Sequence, residues 1–448
     1  MLVSSVVRTS PWRADRQLGI ALPLVALVAL AFGGGGSAYP LANLLAQIFA
    51  LGALLLLGFT RAEGVRRMPR ALIVLAFLTM LLPLLQLVPL PPGIWQALPG
   101  RDLVEQSLAL IGRGDSWFAW SVDRSRTLVA FASLIPVLAV LALFPWGRRG
   151  AATAVLYLIV AMGLANFLFG ALQLAIPGGL LNPYPVLSDG RLYGFFANHN
   201  SAGLFFVIAL CASIGAFQMA KRRSVERNVL AGAALIFVLG TVLTNSRSST
   251  TLLLLPLALI VWIALLSIND KRRRLKMGAI GFAAIALIGA GAAWLLSNTR
   301  LATTAERFGS LEDHRPEIWE DSLVSAERFW PVGSGTGTFR DVFPVDESLE
   351  YVLAGNAGRA HSEYLEVAIE SGIVGLLLIA AWVLFLAWAV FRARNRSNWP
   401  VVRAAGLAGL CIFLQAFLDY PLRNQAMLCV AGLLIAAMVG RERRDKGS

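Results

Sequence analysis

The sequence predicts an all-α, polytopic integral membrane protein with about twelve transmembrane helices and one large, mostly helical loop on the outer side of the membrane. Of its 448 residues, 57% are hydrophobic and only 15% are charged, whereas soluble domains carry roughly 25% charged residues. The hydrophobic residues fall in blocks of about 16–25, long enough to cross a bilayer. Lysine and arginine are concentrated in alternate segments between these blocks.

The apolar blocks define the predicted spans. The first block is followed by GGGGSAYP and a second block, so we interpret it as a retained helix rather than a cleavable signal peptide. Cys211, Cys411 and Cys429 lie within spans and lack metal or redox spacing, which indicates a packing role. In chain order, the predicted spans are 18–35, 41–59, 71–89, 127–145, 151–176, 201–219, 229–245, 250–267, 277–297, 367–390, 404–418 and 426–440.

The distribution of charge predicts the topology. One set of alternate segments holds about two thirds of the 39 lysines and arginines but only about a quarter of the 26 acidic residues. The positive-inside rule places that set, and therefore both termini, in the cytoplasm. The net charge of +13 thus reflects topology, and no nucleic-acid partner is predicted. The segments are RTSPWRADR, RAEGVRRMPR, WGRRG, KRRSVERN, NDKRRRLK, FRARNRSNWPVVR and RERRDK.

Four regions follow from this topology. Residues 1–180 form the first five helices, with a medium outer loop at 90–125. Residues 181–297 form helices six to nine, whose outer edges carry arginines. Residues 298–366 form the large outer loop, and 367–448 form the last three helices. The cytoplasmic segments are short and no GxxxxGK[ST] loop is present, which argues against ATP-driven chemistry on that side.

The large loop is predicted to fold because aromatic residues are interspersed among its charges. Its stretch RPEIWEDSLVSAERF has a helical period. The following WPVGSGTGTF interrupts the helix with glycines and indicates a hinge or tight turn. The apolar side of the predicted helix consists of Ile318, Leu323, Ala326 and Phe329.

The stretch GRAHSEYLEVAIESGIVG places one of only three histidines just before the outer end of a predicted span. If 361–375 is one helix, His361 shares a small apolar face with Gly372 and Gly375. The three glutamates of the stretch then fall on the opposite side, toward water or basic residues of the loop. Two interpretations remain open. His361 either bonds a loop carbonyl at the helix start or accepts a proton from a hydroxyl group.

Three arginines lie at predicted outer edges. Arg191 is in DGRLYGFFANHNSAG, Arg247 is in LTNSRSSTTLLL between two spans, and Arg315 opens DHRPEIW. A single arginine at such a place is equally well explained by its side chain reaching to interfacial water. As a set on an otherwise acidic side, they favour an anionic lipid head or a pyrophosphate, because guanidinium groups bind phosphate oxygens bidentately.

The other polar motifs are less specific. His199 lies between Asn198 and Asn200, so it either assists the site or belongs to a polar helix cap. His314 is predicted to be exposed. No HExxH pattern or DxD pair is present, so neither a zinc site nor a metal–nucleotide–sugar site is expected. GSGTG follows no strand and is weak as a phosphate loop.

Four motifs, in order along residues 185–380, resemble those of the O-antigen ligase and polymerase family. HSEYLEVAIESGIVG matches its histidine signature through His361, Ser362, Gly372 and Gly375. GRLYGFFANHNSAG resembles the family's Arg-Gly-Asn segment, TNSRSS its Ser-Arg segment, and RPEIW with FWPVGSGTGTF its arginine–glycine run.

The resemblance implies a glycosyltransferase of the bacterial inner membrane that needs neither metal nor cofactor and whose active site faces the periplasm. The donor is a glycan on undecaprenyl pyrophosphate, and the acceptor is a sugar hydroxyl, in a ligase that of lipid A-core. Arg191 and Arg247 hold the pyrophosphate, while Arg315 binds phosphate or shapes the loop. His361 is the base, or orients the acceptor. The supporting residues are Asn200, Ser362, Gly372 and Gly375.

Two alternatives remain open. An O-antigen or exopolysaccharide polymerase would use the same donor and the same motifs. A secondary transporter, from a different class, would also suit twelve spans with both termini inside, although transporters tend to carry ionisable residues within spans. The sequence predicts no particular oligomeric state.

Overall fold

The chain is predominantly helical, as predicted. The computed structural model describes it apart from residues 1–10, 59–66, 177–178, 180, 185–189, 267, 271, 280, 282–314, 351–356 and 441–448. The strands β1 (Pro89–Leu90) and β2 (Phe118–Ala119) pair antiparallel. The first eight helices are α1 (Pro11–Gly33), α2 (Pro40–Gly58), α3 (Arg70–Gln86), α4 (Pro92–Trp95), α5 (Asp102–Leu110), α6 (Arg124–Ala132), α7 (Ile135–Leu143) and α8 (Ala151–Ala175).

Short 3-10 turns at Gly36–Ala38, Phe343–Val345 and Pro421–Arg423 connect some of the helices. The remaining helices are α9 (His199–Met219), α10 (Val225–Leu243), α11 (Arg247–Leu252), α12 (Leu254–Leu266), α13 (Arg315–Phe329), α14 (Phe339–Val342), α15 (Glu363–Ala393), α16 (Trp399–Gln415) and α17 (Gln425–Val439).

The helices identify an integral membrane protein. Six helical segments in the described residues are long and apolar enough to cross a membrane, and five shorter apolar helices accompany them. Each predicted span within the described residues coincides with one of these segments. The predicted span 277–297 lies almost wholly outside the described residues, so the number of twelve crossings stays a prediction. The six segments are Arg124–Leu143, Ala151–Ala175, His199–Met219, Val225–Leu243, Arg247–Leu266 and Glu363–Ala393.

Helix α9 forms the centre of the bundle. Its residues 199–216 are all buried, and it packs against α8, α10 and α16. A helix that is apolar on every side is stable only when surrounded by other apolar surfaces. A Cβ atom on Gly215 would lie 2.6 Å from the Cβ of Ala404, so this glycine permits the close approach of α16. The three cysteines are free and buried, which confirms their packing role.

The described parts of the two predicted outer loops pack against each other. The guanidinium of Arg101, which is 1% exposed, donates to the carbonyl oxygens of Trp120 (2.6 Å) and Gly333 (3.1 Å). The Val122 amide donates to the Ser334 carbonyl at 2.9 Å. The bonds to Gly333 and Ser334 join segments more than two hundred residues apart, which the sequence did not predict.

Helix α13 lies where the sequence predicts a helix, but its buried side is different. Ile318 and Phe329 are buried as predicted, whereas Leu323 is 57% exposed. The buried side instead passes through Asp321, which accepts hydrogen bonds from the hydroxyl and the amide of Ser348 at 2.5 and 3.0 Å. Asp321 is polar, and its hydrogen-bonding groups are paired with the turn that follows the helix. A helical period that counts only apolar residues therefore does not detect this buried face.

The prediction of one continuous helix over 361–375 is wrong in two places. Helix α15 begins at Glu363, with Ser362 as its N-cap, so His361 lies outside the helix. At Gly372 the backbone has φ 54° and ψ −146°, which breaks the helix. The helical faces derived from a continuous period therefore do not apply to His361.

The 331–335 turn occupies the break in α15. The Ile373 amide donates to the Pro331 carbonyl at 3.0 Å, and the Gly335 amide donates to the Glu370 carbonyl at 2.8 Å. A Cβ atom on Gly372 would lie only 2.0 Å from the Pro331 oxygen. The loop thus satisfies backbone groups that the break leaves without helical partners. The GSGTG stretch acts as the predicted tight turn.

Candidate active site

His361 is held in a left-handed backbone conformation just before α15. Its φ is 49°, in a region that histidine tolerates better than most residues but that still costs about 1–3 kcal/mol. The preceding residue is fixed, because the Ala360 amide donates to Glu366 Oε1 at 3.1 Å. The imidazole ring lies edge-on to Tyr420, with 5.3 Å between ring centroids. The His361 side chain remains 16% exposed.

A buried carboxylate faces this ring. Asp419 Oδ1 lies 3.6 Å from His361 Nδ1, just beyond hydrogen-bonding distance. The Asp419 side chain is 2% exposed, and it accepts a hydrogen bond from Asn198 Nδ2 at 3.2 Å. Its backbone amide donates to the Gln415 carbonyl at 2.9 Å. Nε2 is therefore the ring nitrogen on the side away from Asp419.

Three buried glutamates of α15 surround one arginine. Arg423 Nη1 lies 2.7 Å from Glu370, and its Nε lies 3.3 Å from Glu366 and 3.7 Å from Glu363. Arg359 adds a second contact to Glu366 at 3.0 Å. Burial alone would lower the pKa of Arg423, but Glu370, Glu366 and Glu363 together raise it above its ordinary value. Of the two arginines that contact these glutamates, Arg359 belongs to the predicted loop, whereas Arg423 comes from the turn between α16 and α17.

Carboxylates outnumber cations on this side of the site. The three glutamates and Asp419 are accompanied by Arg359 and Arg423. Burial and the neighbouring Asp419 raise the pKa of Tyr420, so its phenol stays protonated. This side therefore offers no excess of positive charge to an anionic group and suits a neutral hydroxyl.

The Arg191 segment approaches Asp419 through a helix cap. Arg191 Nη1 donates to His199 Nε2 at 2.8 Å. The neighbouring Asn198 caps α9 by accepting the Asn200 amide at 2.8 Å, while its Nδ2 donates to Asp419. The two interpretations of His199 are thus not exclusive: Asn198 forms the polar cap, and His199 contacts the arginine.

The Arg247 segment docks against the same cap. Ser246 Oγ donates to Asn200 Oδ1 at 2.6 Å and accepts the Ser249 amide as the N-cap of α11. Arg247 follows as the first residue of α11, and its side chain is exposed. Asn200 therefore joins the two arginine-bearing segments.

The turn between α16 and α17 connects every part of the site. Gln415 Nε2 donates to Ser248 Oγ at 2.8 Å, beside Arg247. Asp419 faces His361, and Arg423 binds the glutamates. Sequence reasoning missed this turn. The available signal was LQAFLDYPLRNQ, which puts an acid and an arginine in a short segment between two apolar spans, where charges are costly without a function.

Three other residues that the sequence predicts for the site lie at α13 or α15. Arg315 begins α13, which packs against α15. Ser362 is the N-cap residue of α15, although its hydroxyl makes no capping bond. A Cβ atom on Gly375 would lie 2.5 Å from that of Ser371, so this position is tightly packed. The functional roles of these residues stay predictions, and His314 lies outside the described residues.

Within the described residues, no three His, Cys, Asp or Glu side chains come together as a metal site requires. Transfer without a metal stays a prediction.

The fold and the site define an integral membrane protein with a histidine, buried carboxylates and arginines at the mouth of its helical bundle. Residues 232–380 match a protein-family model described as O-Antigen ligase. This segment is about a third of the chain, and through it the chain is similar to the O-antigen ligase family. The match includes Arg247 and His361 but ends before Asp419. No curated protein is significantly similar to this chain.

Proposed function

We propose that this protein is a periplasmic-face glycosyltransferase of the O-antigen ligase type. It transfers a glycan from undecaprenyl pyrophosphate to a sugar hydroxyl of lipid A-core. The observation that carries the proposal is the convergence on residues 415–423 of a histidine–carboxylate pair and two arginine-bearing segments. A proton acceptor and an anion site are the two parts that this reaction requires.

His361 receives the acceptor's proton in this proposal. The acceptor oxygen forms a bond to the anomeric carbon of the donor sugar, while the bond from that carbon to the phosphate oxygen breaks. Nε2 takes the hydroxyl proton, and the electron pair of the broken bond leaves with the pyrophosphate. The Asp419 carboxylate on the Nδ1 side positions the ring and stabilises the imidazolium that forms.

The donor occupies the arginine side. Arg191 and Arg247 hold the pyrophosphate and stabilise the negative charge that grows as it departs. The glutamates of α15 repel a phosphate group, so the donor's pyrophosphate and the acceptor's hydroxyl bind on different sides of His361. Because pyrophosphate is already a good leaving group, neither a nucleotide nor a metal is needed for this step.

The test is a deletion strain complemented with the wild-type gene or with His361→Ala, followed by gels of surface glycans and lipid-linked intermediates. Polymer left on the lipid carrier, with bare lipid A-core, is the result expected of a ligase. Core carrying only single repeats would indicate the polymerase alternative. An unchanged glycan profile in the deletion strain would contradict both and favour the transporter.

One further variant separates the two possible roles of His361. His361→Gln retains a hydrogen-bonding side chain but cannot act as a base, so it should lose turnover while keeping acceptor binding. Equal membrane levels of each variant, measured by immunoblot, serve as the control. Normal glycan from His361→Ala would contradict the catalytic role of this residue.

A further inference from the structure

Helix α5 belongs to the outer loop at 90–125 and exposes apolar side chains. None of its residues is buried. Leu103 and Leu110 are 47% and 89% exposed, and the C-cap residue Ile111 is 66% exposed. At 100° per residue, these three fall with the half-buried Val104 and Leu108 in one arc of about 160°. The helix therefore has a continuous apolar side.

The polar residues of α5 lie mostly outside this arc. Asp102, Glu105 and Gln106 occupy the opposite side, and Ser107 is the one polar residue on the apolar side. A helix with one apolar side and one polar, charged side is typical of helices that lie in the plane of a membrane surface. The apolar side carries no charge with which a charged partner could pair.

The start of α5 is held at the outer end of α3. Arg101, the residue before α5, donates to the Trp120 carbonyl at 2.6 Å, and the adjacent Ser121 amide donates to the Gln86 carbonyl at 2.9 Å. Gln86 is the last residue of α3, and its Nε2 donates to the Glu370 carbonyl at 3.0 Å. That carbonyl lies in the part of α15 before the break, so α5 starts on the same side of the membrane as His361.

The other end of α5 is held in the same region. The indole Nε1 of Trp95 donates to the Ser116 carbonyl at 3.0 Å, and Nε2 of Gln96 donates to the Gly114 carbonyl at 3.1 Å. Trp95 ends α4, which follows β1 and therefore begins only a few residues after the end of α3. Both ends of α5 are thus fixed near the point where α3 leaves the membrane.

The exposed apolar side of α3 continues toward α5. This side recurs at helical spacing, as expected of a surface that contacts lipid, and consists of Ile73, Val74, Phe77, Leu78, Leu84 and Leu85. Beyond α3, Val88 and Ile94 are 47% and 53% exposed. Trp117, just before β2, is 63% exposed, and tryptophan is enriched at the level of lipid headgroups. Exposed apolar residues therefore extend from the lipid-facing side of α3 into the loop that carries α5.

We propose that α5 lies in the surface of the bilayer on the His361 side, with its apolar side inserted among the lipid headgroups. Leu103, Leu110 and Ile111 reach about 5–10 Å into the boundary between the headgroups and the acyl chains. The bilayer is the partner that fits, because both ends of α5 adjoin the membrane edge and its apolar side is uncharged. Arg101 also donates to the Gly333 carbonyl, so α5 connects the bilayer surface to the turn that occupies the break in α15.

The test measures the depth of a nitroxide spin label in the full-length protein, reconstituted in phosphatidylcholine nanodiscs. Leu110→Cys and Leu103→Cys place the label on the apolar side, and Glu105→Cys, at an exposed residue of the polar side, is the matched control. We expect labels on the apolar side to collide more often with oxygen, which dissolves in lipid, than with a water-soluble nickel chelate. This preference should be reversed at Glu105→Cys. The three native cysteines are buried, and wild-type protein treated with the label supplies the background.

Three results would overturn the proposal. Equal nickel accessibility of all three labels would place the apolar side of α5 in water. Low accessibility to both oxygen and nickel at Leu110→Cys would show that protein covers the helix there. Dipolar broadening of its spectrum, lost on dilution with unlabelled protein, would identify the occupant as a second copy of this chain. None of these results depends on the glycosyl-transfer reaction.

Discussion

The two sides of the His361 site use arginine differently. On the α15 side, Arg423 is buried against three glutamates of the same chain. On the other side, Arg247 is exposed at the start of α11 and forms no ion pair with a described residue, while Arg191 contacts the ring of His199. An arginine whose carboxylate partners are built into the fold stabilises the structure, whereas the exposed guanidinium of Arg247 is accessible to an anion.

Solvation explains this difference. A buried guanidinium is stable only if carboxylates compensate for the water it has lost, and the same holds for the buried carboxylates. An exposed arginine at the membrane edge retains water until an anion displaces it. The comparison leads to four predictions, from the largest expected effect to the smallest.

Gly372→Ala should have the largest effect, because it should disrupt the packing of α15 at its break. The new Cβ would meet the Pro331 oxygen at 2.0 Å, in a backbone conformation that only glycine adopts readily. We expect a loss of about 4 kcal/mol of stability from strain and overlap together, measured by thermal unfolding in detergent. Gly232→Ala is the control, because a Cβ there meets nothing within 4 Å. Equal melting temperatures of the two variants would contradict the observed break in α15.

Arg423→Gln should destabilise the protein by about 3 kcal/mol, because removing one partner leaves buried carboxylates uncompensated. Thermal unfolding measures the effect, and Arg394→Gln, an exposed arginine, should have almost none. Equal melting temperatures of the two variants would show that burial of the α15 glutamates does not require Arg423.

Arg247→Gln should show the opposite behaviour, with full stability and low activity. Losing one group that stabilises developing charge reduces turnover about a hundredfold or more, whereas the exposed side chain contributes little to folding. In vitro transfer from a lipid-linked donor measures the rate. Arg247→Lys keeps the charge but loses the bidentate fork. Its turnover should therefore lie between those of the wild type and Arg247→Gln. A stability loss equal to that of Arg423→Gln would remove the distinction between the two sides.

Asp419→Asn should have the smallest effect. The Nδ1 contact is long, at 3.6 Å, and a positioning contact is worth roughly one kcal/mol, so we expect turnover to fall about fivefold. The Michaelis constant for the acceptor should stay near that of the wild type, because Asp419 acts through the ring of His361. A change confined to the Michaelis constant would assign Asp419 to acceptor binding instead.

The site could be predicted only in part. The signature residues around His361, the predicted arginines and the cap at Asn198 each lie within a short motif. Each motif could be recognised by itself. Asp419 and Arg423 could not be assigned, because nothing in LQAFLDYPLRNQ indicates that this turn lies between His361 and the glutamates. A helical period likewise cannot reveal the break at Gly372, which depends on a loop some forty residues earlier.

The sequence by itself determined the helical membrane architecture, the positions of the apolar helices within the described residues and the motifs that resemble those of O-antigen ligases. Those properties depend on local hydrophobicity and on short motifs, which a bilayer selects without reference to distant residues. Only the tertiary structure decided which charges meet. The pairing of Arg423 with the glutamates and the approach of Asp419 to His361 depend on how α15, α16 and α17 pack. The free energy of an ion pair depends on distance and burial, and neither quantity is encoded in the spacing of residues along the chain.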